Sequence, residues 1–136
     1  MEPTQVARKY SWSSMAVEQV NPALSRRFLS GKDIMVAHVY LKAGCVVPKH
    51  HHVNEQVTYV LEGALRLWVG DKVDSQDDAD SVVVATGEVL VIPSNVPHRA
   101  LALEDTLDLD IFSPPREDWI SGTDRYLRDA NLTKPA

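Results

Sequence analysis

The sequence predicts an all-β protein, a sandwich or barrel of short antiparallel strands, on three observations. Between residues 34 and 113, β-branched and other apolar residues form short runs that turn-forming residues separate at nearly even spacing. No strong helical period of apolar residues lies between these runs. The chain has 136 residues, a length that fits one domain with a single core. The three observations together favour one all-β domain.

Seven candidate strands follow one another along this region. Each is a run rich in aliphatic or aromatic residues, and the runs span residues 34–42, 56–61, 64–69, 81–85, 88–92, 100–103 and 107–112. Glu62-Gly63 and Thr86-Gly87 separate neighbouring strands as turns. Pro93 and Pro97 each remove a backbone donor, so the chain between them is a loop. The pattern therefore predicts a barrel over residues 34–113.

Two segments flank the predicted barrel. Residues 1–33 mix serine, arginine and scattered apolar residues, and we expect an arm or edge strand that packs on the barrel or on a dimer partner. Residues 114–136 form a C-terminal tail that begins with Pro114-Pro115. A short helix over residues 118–128 is compatible with this tail, although Gly122 weakens it.

Composition excludes several classes of function. The formal charge of −5 argues against a nucleic-acid binder, which needs clustered Lys and Arg to neutralise phosphates. No apolar run approaches the length of a transmembrane span, and the first residues do not lead into a signal peptide. The single cysteine, Cys45, cannot form an intramolecular disulfide. We therefore expect a cytoplasmic protein that binds neither nucleic acid nor membrane.

Four of the five histidines fall in two places, His50-His51-His52 and His98. Side chains at i and i+2 of an extended strand share a face, so His50 and His52 can point at one place while His51 points away. Gln56 returns to that face and offers a carbonyl oxygen. With His98 from across the barrel, the set suits one divalent transition metal such as Ni, Zn, Fe, Mn or Co.

These residues lie in two segments that resemble the two sequence signatures of the cupin superfamily. The first reads Gly44-x5-His50-x-His52-x3-Gln56-x6-Gly63, and the second reads Gly87-x5-Pro93-x-Asn95-x2-His98-x3-Ala102. The resemblance covers residues 44–102 and implies a cupin double-stranded β-helix, a jelly-roll-like barrel of two antiparallel sheets around one metal. It also implies that His50, His52 and His98 are metal ligands and that the protein is a homodimer.

The fourth ligand departs from the superfamily pattern, which normally has Glu where this sequence has Gln56. Three neutral imidazoles and a neutral amide oxygen would keep the full +2 charge of the ion, which favours polarisation of an anionic ligand. Two other departures are Asn95 in place of a turn Gly and Ala102 in place of Asn. Glu55 as the fourth ligand is the alternative to Gln56.

The segment after the last strand gives more information about chemistry. Asp110, Phe112 and Arg116 follow the spacing Asp-x-Phe-x3-Arg, and this tail resembles that of the small cupins of pectin and alginate breakdown, the KdgF type. Those enzymes convert 4,5-unsaturated monouronates to linear 5-keto-4-deoxyuronates. The resemblance implies that these three residues act on the substrate. The Asp110 carboxylate would transfer protons, Phe112 would form an apolar wall, and the Arg116 guanidinium would bind the substrate carboxylate. The alternative is an edge strand with Asp108 and Asp110 in solvent and Arg116 on the surface.

The sequence therefore predicts a metal-dependent enzyme that acts on a small anionic substrate, a carboxylate-bearing sugar or keto acid, without redox change. An Fe- or Mn-dependent dioxygenase with the same ligands is the second hypothesis. A non-catalytic barrel that binds or senses a small ligand is the third.

Overall fold

The computed structural model describes residues 6–129, which form two antiparallel sheets and two short C-terminal helices. The six-stranded sheet has the order β1-β2-β3-β10-β5-β8, and the four-stranded sheet has the order β4-β9-β6-β7. The strands are β1 (Glu18–Asn21), β2 (Leu24–Ser30), β3 (Met35–Leu41), β4 (Val46–His50), β5 (Glu55–Glu62), β6 (Ala64–Val69), β7 (Val82–Ala85), β8 (Val89–Ile92), β9 (His98–Ala102) and β10 (Thr106–Ser113). The predicted all-β barrel of two antiparallel sheets is confirmed.

The inner faces of the two sheets form one core. In β3, residues alternate strictly between buried and half-buried, as expected for a strand with one face toward the core. Its inward side chains Met35, Ala37 and Val39 pack with apolar side chains of the opposite sheet, among them Leu65 and Leu67. The core thus lies between the sheets, and the interior groups described below are held by strands on both sides of it.

The strand predictions for residues 34–113 match the structure closely except for β4, which the sequence did not predict; β1 and β2 lie in the segment for which the sequence predicts only an arm or edge strand. In β2, Arg26 points inward and is fully buried, so the strand lacks the usual apolar alternation. Pro48 interrupts β4, which lies at the edge of its sheet and so loses little from the missing backbone donor. Strand β9 begins at His98, two residues before the predicted start.

Strand β10 lies in the middle of its sheet, between β3 and β5. Asp108 and Asp110 face the interior and are buried, whereas Leu107, Leu109 and Ile111 are half-buried on the outer face. The alternative of an edge strand with solvated aspartates is therefore wrong. Alternation predicted the two faces correctly, but not which one turns inward.

Backbone conformation explains two turn residues. Gly63, between β5 and β6, has φ of +105°, and a Cβ there would lie 2.5 Å from the carbonyl oxygen of Asp105. Only glycine fits such a position. Asn95 has φ of 63°, a left-handed conformation that Asn adopts more readily than most residues.

The C-terminal tail forms two short helices, α1 (Glu117–Ser121) and α2 (Arg125–Arg128), rather than one. Gly122 ends α1 in the left-handed conformation, which is its usual place after a helix. The division into arm, barrel and tail stays a prediction, and residues 1–5 and 130–136 lie outside the described residues. Within residues 6–129, no helix is both long and apolar enough to span a membrane.

Candidate metal centre

Three strands and the loop after β4 bring the predicted metal ligands together. His50 ends β4, His52 follows it, Gln56 lies in β5, and His98 begins β9 and pairs directly with His50. The ligand nitrogens of the three histidines lie within 4.8 Å of one another. His51 is exposed, as alternation predicts. The structure thus places the three imidazoles around one point.

Backbone carbonyls fix the tautomer of each histidine. The Nδ1 atoms of His50, His52 and His98 lie 2.8, 3.0 and 2.9 Å from the carbonyl oxygens of Pro48, Asn54 and Val96, respectively. Because a carbonyl only accepts, each Nδ1 carries the proton, and each Nε2 of the neutral ring presents a lone pair. Backbone acceptors of this kind are the usual outer partners of metal-ligating histidines.

Gln56 completes a set of acceptors with no donor among them. Its Nε2 donates to Thr58 Oγ1 at 2.9 Å, so its Oε1 points back toward His52 Nε2, 3.2 Å away. Two lone pairs then face each other, and His98 Nε2 is buried without a hydrogen-bond partner in the described chain. A cation between these atoms would satisfy all of them, so the donor set fits a divalent transition metal. Glu55 is exposed and lies on the opposite face of β5.

Burial keeps the three imidazoles neutral. It lowers the pKa of His50 to about 2, with a further contribution from the charge of His98, and lowers the pKa of His52 to about 4. Burial also lowers the pKa of His98. Metal binding requires the unprotonated ring, so the folded site is ready to bind a cation without first losing protons.

A chain of hydrogen bonds connects the ligand set to a pair of aspartates. Thr58 Oγ1 accepts from Gln56 and donates to Asp110 Oδ1 at 2.9 Å. Asp108 lies on the same inward face two residues before Asp110, and its Oδ1 is buried with no hydrogen-bond partner within the described residues. Burial raises the pKa of both carboxyl groups, that of Asp108 well above its usual range, because two neighbouring buried carboxyl groups do not both ionise readily. A titratable carboxyl pair therefore lies one hydrogen-bonded residue, Thr58, away from the candidate ligand Gln56.

Phe112 and Arg116 lie beside this pair, but most of the Arg116 guanidinium is already hydrogen-bonded within the protein. Its Nε and Nη2 atoms donate to the carboxylate of Asp118 at 3.0 and 2.9 Å, and Nη2 also donates to the hydroxyl of Tyr126 at 2.8 Å. The guanidinium lies 5.0 Å from the ring of Phe112 and is buried. Only Nη1 has no hydrogen bond within the described residues, so it is the edge left for a ligand.

Sequence reasoning missed three residues of the site. Thr58 and Asp108 could have been found, because they follow Gln56 and precede Asp110 by two positions and so share their faces. Tyr126 carried no signal. It lies on α2 and stacks on His50 with ring centroids 4.2 Å apart and planes 20° apart. Only the packing of the tail onto the barrel brings it there.

The groups enclose a small cavity inside the barrel. Its volume is about 60 Å³, and the polar or aromatic residues that border it are His50, Gln56, Thr58, His98, Asp108, Asp110, Phe112, Arg116, Trp119 and Tyr126. Aliphatic side chains of both sheets close its inner end. The structure thus brings seven predicted site residues to one place; His52 contributes its ring at the edge of this space.

Comparison with known proteins agrees with this arrangement. A family model described as "Cupin domain" matches residues 37–113. The "Pectin degradation protein KdgF" of Dickeya dadantii is 23% identical over 106 residues, which are 76% of this chain and 89% of that protein. The 3-hydroxyanthranilate 3,4-dioxygenase of Rattus norvegicus is 26% identical over 124 residues, 90% of this chain but 41% of that enzyme.

Solved structures give the same architecture. The structure of KdgF from Halomonas sp. superposes with a TM-score of 0.73 at 26% identity, covering 84% of this chain and 99% of that one. An oxalate decarboxylase from Lactobacillus farciminis superposes with a TM-score of 0.67 at 19% identity, covering 93% of this chain and 41% of the decarboxylase. The decarboxylase likeness shows the shared fold alone.

Proposed function

Since this chain belongs to the cupin family, we propose that it is a metal-dependent enzyme that isomerises a small carboxylate-bearing sugar without redox change. A 4,5-unsaturated monouronate is the proposed substrate, and the linear 5-keto-4-deoxyuronate is the product. One observation carries the proposal. Lone pairs of His52, His98 and Gln56 face one another with no hydrogen-bond donor among them, and His50 lies beside them. The buried carboxyl groups of Asp108 and Asp110 lie next to this set. The likeness to two KdgF proteins supports the choice of substrate.

His50, His52, His98 and Gln56 would hold the ion. A divalent transition metal bound there supplies Lewis-acid polarisation of a substrate oxygen. Gln56 adds no charge, so the site attracts an anionic substrate more strongly than it would with Glu. The lone-pair arrangement also favours Gln56 over Glu55, which points to solvent.

The proposed isomerisation needs a group that moves protons. Opening the sugar ring breaks the C1–O5 bond as the C1 hydroxyl loses its proton and becomes an aldehyde, and the enolate left at C5 becomes a ketone when C4 gains a proton. Asp110 and Asp108, two neighbouring buried carboxyl groups whose pKa values burial raises, can accept the first proton and return the second. No oxidant is required, because the product has the same atoms as the substrate.

Binding of the substrate falls to the remaining groups. Arg116 Nη1 would take the carboxylate by a charge-assisted hydrogen bond, with Nε and Nη2 held in place by Asp118. Phe112, which lies at the cavity and packs edge-on against His52, would form an apolar wall for the sugar ring.

The test is to incubate metal-loaded protein with a 4,5-unsaturated uronate and to follow the loss of alkene absorbance. We expect turnover by the wild type, and a loss of at least about a hundredfold in Asp110→Asn, since proton transfer by a placed group contributes about that much or more. Asp71→Asn, at an exposed position, is the matched control. A wild-type rate equal to the uncatalysed rate would remove the proposal.

A dioxygenase is the second candidate, favoured by the likeness to 3-hydroxyanthranilate 3,4-dioxygenase. The same three histidines would hold iron. Oxygen uptake that depends on Fe and on a phenolic substrate would support this candidate over the isomerase. A sensor without catalysis is less consistent with a buried carboxyl pair beside the ligand set.

We also propose that the protein is a cytoplasmic homodimer. Half-buried or exposed apolar side chains cover the outer face of the six-stranded sheet, among them Leu109 and Ile111 of β10 and Val89 and Val91 of β8. A second copy could cover this face. Light scattering that gives the mass of one chain at micromolar concentration would contradict the dimer.

A further inference from the structure

The ring of Tyr126 lies between two groups that the proposed substrate must reach. On one side the ring stacks on His50, with centroids 4.2 Å apart. On the other side its hydroxyl accepts a hydrogen bond from Arg116 Nη2 at 2.8 Å. A ligand that joins the metal site to Arg116 therefore meets this side chain. Tyr126 does not belong to the two cupin signatures or to the Asp-x-Phe-x3-Arg motif.

The helix that carries Tyr126 is firmly attached to the barrel. Asp124, immediately before α2, is fully buried and accepts from Arg26 Nη1 at 2.7 Å and from Arg128 Nε at 2.8 Å. The next turn is fixed through Leu127, whose carbonyl oxygen accepts from Asn21 Nδ2 at 2.9 Å. A ligand cannot simply push α2 aside, because that would separate the buried guanidinium of Arg26 from Asp124, the one of its two carboxylate partners that is itself fully buried.

The space that Tyr126 leaves is small. The cavity of about 60 Å³ is well below the roughly 300–1,000 Å³ of typical small-molecule pockets. The Tyr126 ring borders this space between His50 and Arg116, so a ligand larger than a few atoms that contacts both of them has to displace the ring. The side chain at position 126 thus limits the size of what can enter.

We propose that Tyr126 is a specificity-determining residue of this site, whose ring sets the largest carboxylate ligand that can reach both the metal and Arg116. The inference rests on the proposed function, because it assumes that a carboxylate binds between these groups. A short carboxylate binds without moving the ring, whereas a sugar acid, the proposed uronate included, binds at the cost of turning the Tyr126 side chain away from His50. A smaller side chain at position 126 removes that cost.

The experiment compares two stable probes on the cobalt-loaded protein, acetate and galacturonate. The visible absorption of Co²⁺ changes when a ligand binds, so both dissociation constants come from titrations without turnover. In Tyr126→Ala, we expect the ratio of the galacturonate constant to the acetate constant to fall by about tenfold or more, as for other pocket-size changes. Tyr126→Phe keeps the ring and should keep the ratio of the wild type.

Tyr10→Ala, at an exposed position before β1, is the matched control and should also keep the wild-type ratio. If Tyr126→Ala does not fold, Tyr126→Leu provides a smaller enlargement and should shift the ratio in the same direction. An unchanged ratio in a folded, metal-loaded Ala or Leu variant would overturn the inference. That outcome is separate from the proposed isomerase activity, since the ratio can change in a protein that does not turn over the unsaturated uronate.

Discussion

Replacing Gln56 by Glu tests the least usual feature of the site, its neutral fourth ligand. In the metal-free protein, Gln56→Glu removes the hydrogen bond from Gln56 Nε2 to Thr58 Oγ1 and puts a third carboxyl group beside Asp110 and Asp108. A lost hydrogen bond costs about 1 kcal/mol, and a buried group without its partner costs about 1–3 kcal/mol more. We expect the free energy of unfolding at pH 7 to fall by about 2–4 kcal/mol.

The bound metal should offset this loss at least in part. A carboxylate binds a cation more tightly than an amide oxygen does, and each tenfold gain in affinity adds about 1.4 kcal/mol of stability at a fixed, saturating concentration of free metal. The increase in the free energy of unfolding that metal produces should therefore be larger in Gln56→Glu than in the wild type, by at least that amount.

Urea unfolding measures both quantities, once with a chelator and once with buffered free Zn²⁺. Glu55→Gln is the matched control, one residue away on the exposed face of β5, and should behave as the wild type in both conditions. Equal metal-induced increases in Gln56→Glu and in the wild type would refute the assignment of Gln56 as a ligand. A smaller metal-induced increase in Glu55→Gln than in the wild type would instead support Glu55 as the fourth ligand.

Three further predictions concern stability. Burial lowers the pKa of His50 to about 2, so the unfolded chain binds more protons than the folded one below pH 6.5. Without metal, the difference in the free energy of unfolding between the wild type and His50→Gln should then decrease as the pH falls from 6.5 to 4.5, by up to about 1.4 kcal/mol per pH unit. Urea unfolding at each pH measures this difference. Asp124→Ala removes the buried one of the two carboxylate partners of Arg26, leaving only the half-exposed Glu18, and should cost about 2–3 kcal/mol, as for a lost hydrogen bond to a charged group; a loss below about 1 kcal/mol in thermal or urea unfolding would contradict the proposed attachment of α2. Gly63→Ala should cost about 3 kcal/mol, because its Cβ would overlap backbone atoms, whereas Gly87→Ala, with a similar positive φ but open space, should cost about 1 kcal/mol in the same assay.

Much of the fold and of the ligand set follows from local rules. Turn residues at Gly63 and Gly87 delimit the strands, and alternation along β5 predicts that Gln56 faces inward while Glu55 does not. The match to the cupin family over residues 37–113 confirms the resemblance that the two motifs predicted. The ligand roles of these residues stay predictions, which the Gln56→Glu experiment tests.

Local rules failed where inward-facing residues are charged. Arg26 in β2 and Asp108 in β10 lie inside the barrel, although burial of a charge is costly unless a partner compensates it. The partners are distant in sequence: Asp124 pairs with Arg26, and Thr58 donates to Asp110 beside Asp108. A pattern read along one strand contains no information about such partners.

The sequence by itself determined the all-β class and that three candidate ligands, His50, His52 and Gln56, can share one face, because period-two alternation and turn chemistry act over a few residues; the two motifs added the resemblance to cupins. Only the tertiary structure decided that Asp108 and Asp110 face inward and that Tyr126 stacks on His50. The physical reason is that both depend on contacts across the barrel. The inward face of β10 is set by what lies opposite it, and the position of α2 is set by ion pairs with β1 and β2 about a hundred residues earlier in the chain.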